Sequence, residues 1–425
     1  EYVIRVIDMN MSILKDSDLE WADLVFTSSM IVQRDSLQAV IERCNRLGVP
    51  VVAGGPHPTS FHEEIEGVSH FLLDEAEGVL PEFFQDIKTG TAKIIYRASE
   101  KPDVTRTPLP RYDLIDMRDY YSMSLQFSRG CPFDCEFCDI TKLFGRVPRT
   151  KTPDQMLNEF DLLYRLGWRG NLFLVDDNFI GNKRQALELL RAVTGWQKTH
   201  SYPFSLFTEA SVNLARTDVL MDAMIEAGFS WVFLGIETPN PKALVKTKKQ
   251  QNTSKKEDNY LLSAVRKIQQ KGMEVSGGFI LGLDGDDEGV FDAQIDFIQE
   301  AGIPMAMVGL LTALKGTNLY DRLKKEDRLL EESTGTSVNV VLNFKPEMDS
   351  KTLIEGYRRV LTTIYDPTLE NYFRRCLTML KHVKPTQNLV KNIGKNELIA
   401  IVKSVRRQLF SKQGPAYLKF LAKVA

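Results

Sequence analysis

The sequence predicts an α/β protein in three parts: an N-terminal parallel α/β unit, a barrel of six strand–helix units, and an all-helical C-terminal region. Three observations carry this. Strand-like and helix-like runs alternate over residues 1–96. Alternation resumes at Ser124, where each apolar strand is followed by polar residues. It stops near residue 331, beyond which long helical stretches take over. The expected boundaries are 1–96, a linker 97–122, a core 123–330 and a helical region 331–425.

Size and composition narrow the class. The 425 residues correspond to two or three domains at roughly 150 residues each. A hydrophobic content of 43% and a charged content of 26% are ordinary for a globular protein. The net charge of −2 advertises no nucleic-acid partner. No apolar run approaches the roughly 18 residues of a membrane span. The chain opens at Glu1 directly on the apolar run Tyr2–Ile7, with no charged-then-apolar signal segment, and reads as starting inside a domain. Five cysteines, three of them in one loop, argue against a disulfide scaffold and fit the reducing cytoplasm.

In the first unit, strands are expected at 2–7, 23–29, 50–53, 69–73 and 93–96. The run 36–47 places Leu37, Val40, Ile41 and Cys44 at helical spacing, with Asp35 as N-cap and Gly48 as stop. Such alternation favours a parallel sheet with helices on both faces, which binds ligands at the carboxyl ends of its strands near a switch in strand order. Three loops fall at such ends. They are Thr27-Ser28-Ser29-Met30, Gly54-Gly55-Pro56-His57, and the stretch around Glu75 in Asp74-Glu75-Ala76-Glu77. Pro102, Pro108 and Pro110 mark the linker as a surface crossover.

The core begins with a strand at 124–127. A helix follows, opened by Thr152-Pro153-Asp154-Gln155, with Thr at N-cap, Pro at N1 and Gln completing a capping box. Further strands at 172–175, 203–208, 231–236, 275–281 and 305–311 are followed by Asp176-Asp177-Asn178, Glu209 and Ser211, Glu237, and Gly282. In strand–helix barrels the carboxyl ends of the strands carry function. For each acid there, helix capping is the structural alternative. Residues 246–258, polar and Lys-rich, read as a solvated loop.

The first strand leads into Cys131-Pro132-Phe133-Asp134-Cys135-Glu136-Phe137-Cys138. Thiolates this close suggest one metal centre. Structural zinc would want a fourth Cys or His, and no histidine lies between His70 and His200. A cluster of four irons held by three cysteines keeps one iron open to another molecule.

This C-x3-C-x2-C loop, with an aromatic residue before its last cysteine, resembles that of the radical S-adenosylmethionine enzymes. The resemblance implies a partial (β/α)6 TIM-type barrel whose Cys131, Cys135 and Cys138 hold a [4Fe–4S] cluster. The open iron would bind S-adenosylmethionine, beside Phe137. By position, Asp176 and Asp177 would meet its amino group, Glu209 and Ser211 its ribose or carboxylate, and Gly278 and Gly282 its adenine, with Glu237 after the fourth strand in the same site. The loops before the cluster are similar to those of the cobalamin-binding branch of this family, which has a Rossmann or flavodoxin-like first domain. That likeness would bring Ser28, Ser29, Met30, Gly54, Gly55, Pro56, His57 and Glu75 to cobalamin. The usual Gly before Glu-Ala-Glu is here Asp74. No Asp-x-His-x-x-Gly motif is present, so the likeness implies cobalamin without a histidine ligand, and His57 reads as a loop or surface residue. Compared with the family, a first strand and helix are missing.

Helical stretches 350–366 and 368–383 make the C-terminal region. From Lys381 onward, ten Lys or Arg face one acid, Glu397. The stretch Leu398–Phe410 mixes Ile401, Val402, Val405 and Phe410 with Lys403, Arg406 and Arg407. Two readings stay open: a helix packed on the barrel with a solvated basic face, or peripheral contact with an anionic membrane. The three-part order is similar to the subfamily that includes hopanoid C-2 methylase. It implies C-methylation of a small-molecule or lipid substrate at an unactivated carbon, through a 5′-deoxyadenosyl radical and methylcobalamin. An external electron donor of flavodoxin or ferredoxin type is implied as well. The alternatives are a cobalamin-dependent radical cyclase or oxidoreductase without methyl transfer, and a non-catalytic iron–sulfur protein.

Overall fold

A computed structural model describes residues 2–254, 256–257, 259–330, 340–384 and 395–424, the stretch 395–398 by backbone alone. The boundary expected at 331, and the side chains of Lys391, Lys395 and Glu397, lie outside the described residues.

The first unit is a four-stranded parallel sheet of β1 (Val25–Ser28), β2 (Val51–Gly54), β3 (His70–Leu73) and β4 (Ile95–Arg97), in that spatial order. Its order runs without reversal, so the expected switch in strand order is not among the described residues. The expected strand at 2–7 is also corrected. Residues 2–7 form no strand, and Val3 is 82% exposed, because no neighbouring strand covers the run. The helix Arg34–Leu47 buries Leu37, Val40, Ile41 and Cys44 as the spacing predicts. Its N-cap is Gln33 rather than Asp35, and Gly48 ends it in the left-handed conformation at φ 72°.

The second unit is a six-stranded parallel sheet. β5 (Ser122–Leu125), β8 (Gly170–Leu174), β9 (Phe204–Ala210), β10 (Phe229–Glu237), β11 (Glu274–Leu281) and β12 (Ala306–Leu310) pair in sequence order. Between β5 and β8 lies a short antiparallel pair, β6 (Ser128–Arg129) and β7 (Arg149–Thr150), at the base of the cysteine loop. The helix Pro153–Arg165 starts on the capping box read from the sequence: Thr152 Oγ1 accepts from Gln155 N, and the Gln155 side chain accepts from Thr152 N. Leu172, Leu206, Val232 and Val275 from the strands pack with Met156, Leu190, Met221 and Ile268 from the helices in one continuous core. The linker lies on this unit, with Gln155 Nε2 donating to Thr105 O at 2.7 Å and Tyr112 Oη to Ser124 O at 2.6 Å.

The C-terminal helices Ser350–Ile364 and Glu370–His382 fasten to the barrel through Arg375, which is 0% exposed. Its guanidinium donates to the carbonyls of Ile303, Pro304 and Ile364 and lies between the rings of Tyr365 and Tyr372. A buried charge survives there because every side of it is solvated by carbonyl dipoles or π-faces. The helices Lys395–Leu409 and Gly414–Val424 pack on Phe373, while Ile401, Val402 and Phe410 stay exposed.

Candidate functional site

The cysteine loop leaves β6 at the carboxyl end of β5 and is braced from below. Asp176 is 1% exposed, and its two carboxylate oxygens accept from Phe127 N at 2.8 Å, Ser128 N at 3.0 Å and Ser128 Oγ at 2.7 Å. Burial, opposed by those hydrogen bonds, pushes its pKa up to about 7. Asp176 therefore supports the loop instead of facing a ligand. Asp177 takes Gly130 N at 2.7 Å and remains partly exposed; burial raises it as well. The next residue, Asn178, was given no role from sequence. Its amide donates toward Cys131 Sγ at 3.8 Å and to Ser211 Oγ at 3.1 Å, and its carbonyl accepts from Ser211 N at 3.2 Å. Ser211 is thus tied to Asn178, and it donates in turn to Asn213. Glu209 stands exposed at the end of β9, yet the surrounding protein and then the Asp177 charge raise its pKa.

All five cysteines are free. Burial raises the Cys131 and Cys138 thiols, Cys138 up to about 12. Asn178 Nδ2 lies 3.8 Å from Cys131 Sγ, and Gln251 Nε2 donates to Cys135 Sγ at 3.4 Å. Among the described residues no three His, Cys, Asp or Glu side chains converge on one ion. A polynuclear cluster asks for something else, one thiolate per iron. Cys131 and Cys135 each meet a side-chain N–H donor, the environment that stabilises charge on a ligated thiolate. The residues fit such a cluster.

The structure corrects the expectation of a solvated loop over 246–258. Thr247, Lys249, Gln251 and Asn252 are buried, and the segment lies across the cysteine loop. Glu136 N donates to Thr247 O at 3.0 Å. Asn252 Nδ2 donates to Gly235 O and Ile236 O, both at 2.9 Å. Lys249 Nζ donates to Glu237 Oε1 at 2.6 Å. Glu237 itself is buried and sits at φ 67°, where the register of β10 shifts. A non-glycine residue in that region is strained, a feature that gathers at functional sites. Phe137 packs beside Leu319, Tyr320 and Phe344, 5.9 Å from Lys249 Nζ. Gly278 lies within β11. Gly282 has φ +90°, and an added Cβ would stand 2.8 Å from Leu353 Cδ2, so the fold alone demands glycine there.

At the strand ends of the first unit, Ser28 and Met30 are exposed and Ser29 is buried. Gly55 has φ +95°, and a Cβ there would come within 2.8 Å of Ser29 N, which presses the Gly54-Gly55 turn against the Ser29 loop. Pro56 opens the short helix Pro56–Phe61. His57 is buried, not at the surface: its N–H donates to Ser29 O at 3.0 Å, its ring lies 5.6 Å from Phe61, and burial lowers its pKa. Ser29 Oγ and His57 Nδ1 are buried polar atoms with no partner among the described residues. Such orphans beside a glycine turn at strand ends fit a polar ligand there.

Glu75 takes another part. It is buried and accepts from both guanidinium N–H groups of Arg149, at 2.7 and 3.0 Å, and from Arg129 at 2.8 Å. Glu77 pairs with Arg129 at 2.7 Å. Arg129 and Arg149 are cross-strand partners in the β6–β7 pair, so Glu75, with Glu77 on Arg129, offsets two like charges that the ladder forces together. The preceding Asp74 has φ 66°, the conformation that glycine adopts most readily. The first unit is thereby locked to the loop two residues before Cys131.

A profile of the Radical SAM superfamily matches residues 125–313, and one described as a domain of unknown function, DUF4070, matches 317–425. The chain is 46% identical over 370 residues to an uncharacterized methyltransferase of Synechocystis, covering 86% of this chain and 68% of that protein. It is 36% identical over 341 residues to a hopanoid C-2 methylase of Rhodopseudomonas palustris, covering 79% of this chain and 64% of that protein. The radical S-adenosylmethionine methyltransferase TsrM of Kitasatospora setae, solved with tryptophan and an S-adenosylmethionine analogue, superposes with a TM-score of 0.66 at 15% identity. That match covers 92% of this chain and 91% of TsrM.

Proposed function

This chain belongs to the radical S-adenosylmethionine superfamily, and from that premise we propose that it is a cobalamin-dependent methyltransferase acting at an unactivated carbon. The observation that carries the proposal is the double bracing of the cysteine loop. Asp176 and Asp177 hold it from the barrel, and Glu75 and Glu77 hold it from the first unit. Two cofactor-binding units thus meet at one loop.

When bound, a [4Fe–4S] cluster, S-adenosylmethionine and cobalamin supply one-electron cleavage and methyl transfer. Cys131, Cys135 and Cys138 would hold the cluster. Asp177 and Glu209 would receive a cationic ligand; their surroundings and, for Glu209, the Asp177 charge raise both carboxyls, and an incoming ammonium would favour the charged forms. Asp176, Ser211 and Glu237 position this shell through Ser128, Asn178 and Lys249. Ser29, Gly55 and His57 would line the cobalamin face. The reaction class calls for an external one-electron donor.

A hopanoid is the first substrate to assay, on the likeness to the hopanoid C-2 methylase. No helix among the described residues is long and apolar enough to cross a membrane. The exposed Ile401, Val402 and Phe410 beside Lys403, Arg406 and Arg407 support peripheral lipid contact.

The test is anaerobic reconstitution with iron, sulfide, cobalamin, reductant and methyl-labelled S-adenosylmethionine. The expected result is 5′-deoxyadenosine together with label in the product. A cluster that assembles without 5′-deoxyadenosine overturns the assignment, and 5′-deoxyadenosine without transferred label points to a cyclase or oxidoreductase. Cys135→Ala is expected to remain folded by circular dichroism and to lose the cluster's visible absorbance.

A further inference from the structure

We infer that Lys249 is a positioning residue whose fixed positive charge sets the reduction potential of the centre held by the cysteine loop. The inference rests on the proposed cluster and adds a determinant outside the cysteines. Its basis is geometric. The segment 247–252 is fastened to the loop at three points: Thr247 O to Glu136 N at 3.0 Å, Gln251 Nε2 to Cys135 Sγ at 3.4 Å, and Lys249 Nζ 5.9 Å from the Phe137 ring. At its other side it is fastened to β10 by the Asn252 amide and by the Lys249–Glu237 pair at 2.6 Å. Lys249 therefore has little room to move, and its ammonium is buried.

The orientation of the pair matters more than its presence. A neutral ion pair acts on a neighbour as a dipole, and the sign of the effect follows the nearer end. Lys249 Nζ lies 5.9 Å from the ring of Phe137, the residue before Cys138, and Gln251, two residues further on, reaches Cys135 Sγ. The ammonium lies beside Phe137 of the cysteine loop, and the carboxylate belongs to β10. Reduction adds one electron from an external low-potential donor to the centre and makes its total charge one unit more negative. A cation held beside it in a water-poor site stabilises that state. The Gln251 N–H on Cys135 works in the same direction.

The placement of Glu237 supports this reading. Its φ of 67° costs conformational energy, which the structure sustains at the residue that anchors the ammonium. Gln294 Nε2 donates to the Glu237 carbonyl at 3.1 Å and fixes the same turn from the other side.

The experiment is a potentiometric titration of the reconstituted full chain without S-adenosylmethionine, followed by visible absorbance and by the spin signal of the reduced centre. Direct contact with that molecule then makes no contribution. Lys249→Met is expected to lower the ratio of reduced to oxidised centre about tenfold at a fixed potential, which for one electron is about 59 mV. Lys249→Arg should restore most of it. Glu237→Gln removes the counter-charge and should shift the ratio in the opposite direction, a sign that a merely structural role would not produce. Lys248→Met, at an exposed neighbouring ammonium, should shift it little because solvent screens the charge. Should Lys249→Met not assemble a centre, the opposite shifts expected of Glu237→Gln and Gln251→Leu decide. Unchanged potentials in assembled variants, or shifts of one sign in all of them, overturn the inference and leave the proposed function standing. A parent chain that assembles no centre overturns the proposed function, and this inference with it.

Discussion

Glu75 and Glu237 are both buried glutamates at the ends of parallel strands, and both reach the cysteine loop through a basic partner. Each lies at or beside a non-glycine residue in the left-handed region, Asp74 at φ 66° and Glu237 itself at φ 67°. Their partners differ. Glu75 engages two guanidinium groups, whose planar forks bind in a fixed orientation and join two units mechanically. Glu237 engages one ammonium, a compact point charge held beside Phe137 of the cysteine loop. The same acid thus serves as a fastener on one flank and as an anchor for a field on the other. A strand-end carboxylate declares its chemistry only through the residue that meets it.

The largest effect is expected from Glu75→Gln. It leaves Arg129 and Arg149 facing each other in the β6–β7 ladder without their shared counter-charge. Removing one partner of a buried ion pair costs about 3–5 kcal/mol. Denaturant titration should show this in the first unfolding transition, with faster proteolysis in the linker. Arg149→Lys keeps the charge but gives up the two-point contact, and should cost about 1.5 kcal/mol in the same assay. Equal losses for the two variants would remove the distinction between fork and point charge.

An effect smaller than that of Glu75→Gln is expected at Asp176, and its signature is a pH profile. The folded state holds a proton on this group up to about 7, whereas the free side chain titrates near 3.8. The folded protein therefore binds the proton more tightly. Stability falls as pH rises from about 4 to about 7 and levels off above, with this group contributing at most about 1.4 kcal/mol per pH unit. Asp176→Asn should remove that slope while costing about 2 kcal/mol at pH 7, because an amide cannot accept all three donors. An unchanged slope would show that the proton resides elsewhere. The smallest effect is expected from Asp74→Gly. Relief of the left-handed backbone should offset loss of the half-exposed Arg97 contact at 3.5 Å, for a net change within about 1 kcal/mol by thermal melting.

Local rules explain what was legible. The capping box at Thr152, the buried stripe of the helix Arg34–Leu47 and the six barrel strands depend on neighbours within one turn or one strand. The positive φ at Asp74 agrees with the resemblance drawn from the sequence, which implies glycine before Glu-Ala-Glu. Errors arose where distant chain supplies the environment. Lys249 and Gln251 sit in a polar run that could equally be solvated, and only the fold lays that run across the cysteines. Asn178 stood next to two acids and went unread, although its amide serves both Cys131 and Ser211. Tyr2–Ile7 carried a strand's composition without a partner strand to pair with.

The sequence by itself determined the strand–helix order, the three-cysteine loop and which residue types stand at the strand ends, because spacing and periodicity are properties of the chain. The tertiary structure decides which acids are taken up by the protein's own backbone and which stay open. Asp176 and Asp177 are adjacent in sequence, yet one is consumed by the backbone of the cysteine loop and the other stays partly exposed. The physical reason is that a carboxylate's role depends on the donors within hydrogen-bond reach, and here those donors come from residues 47 to 49 positions away.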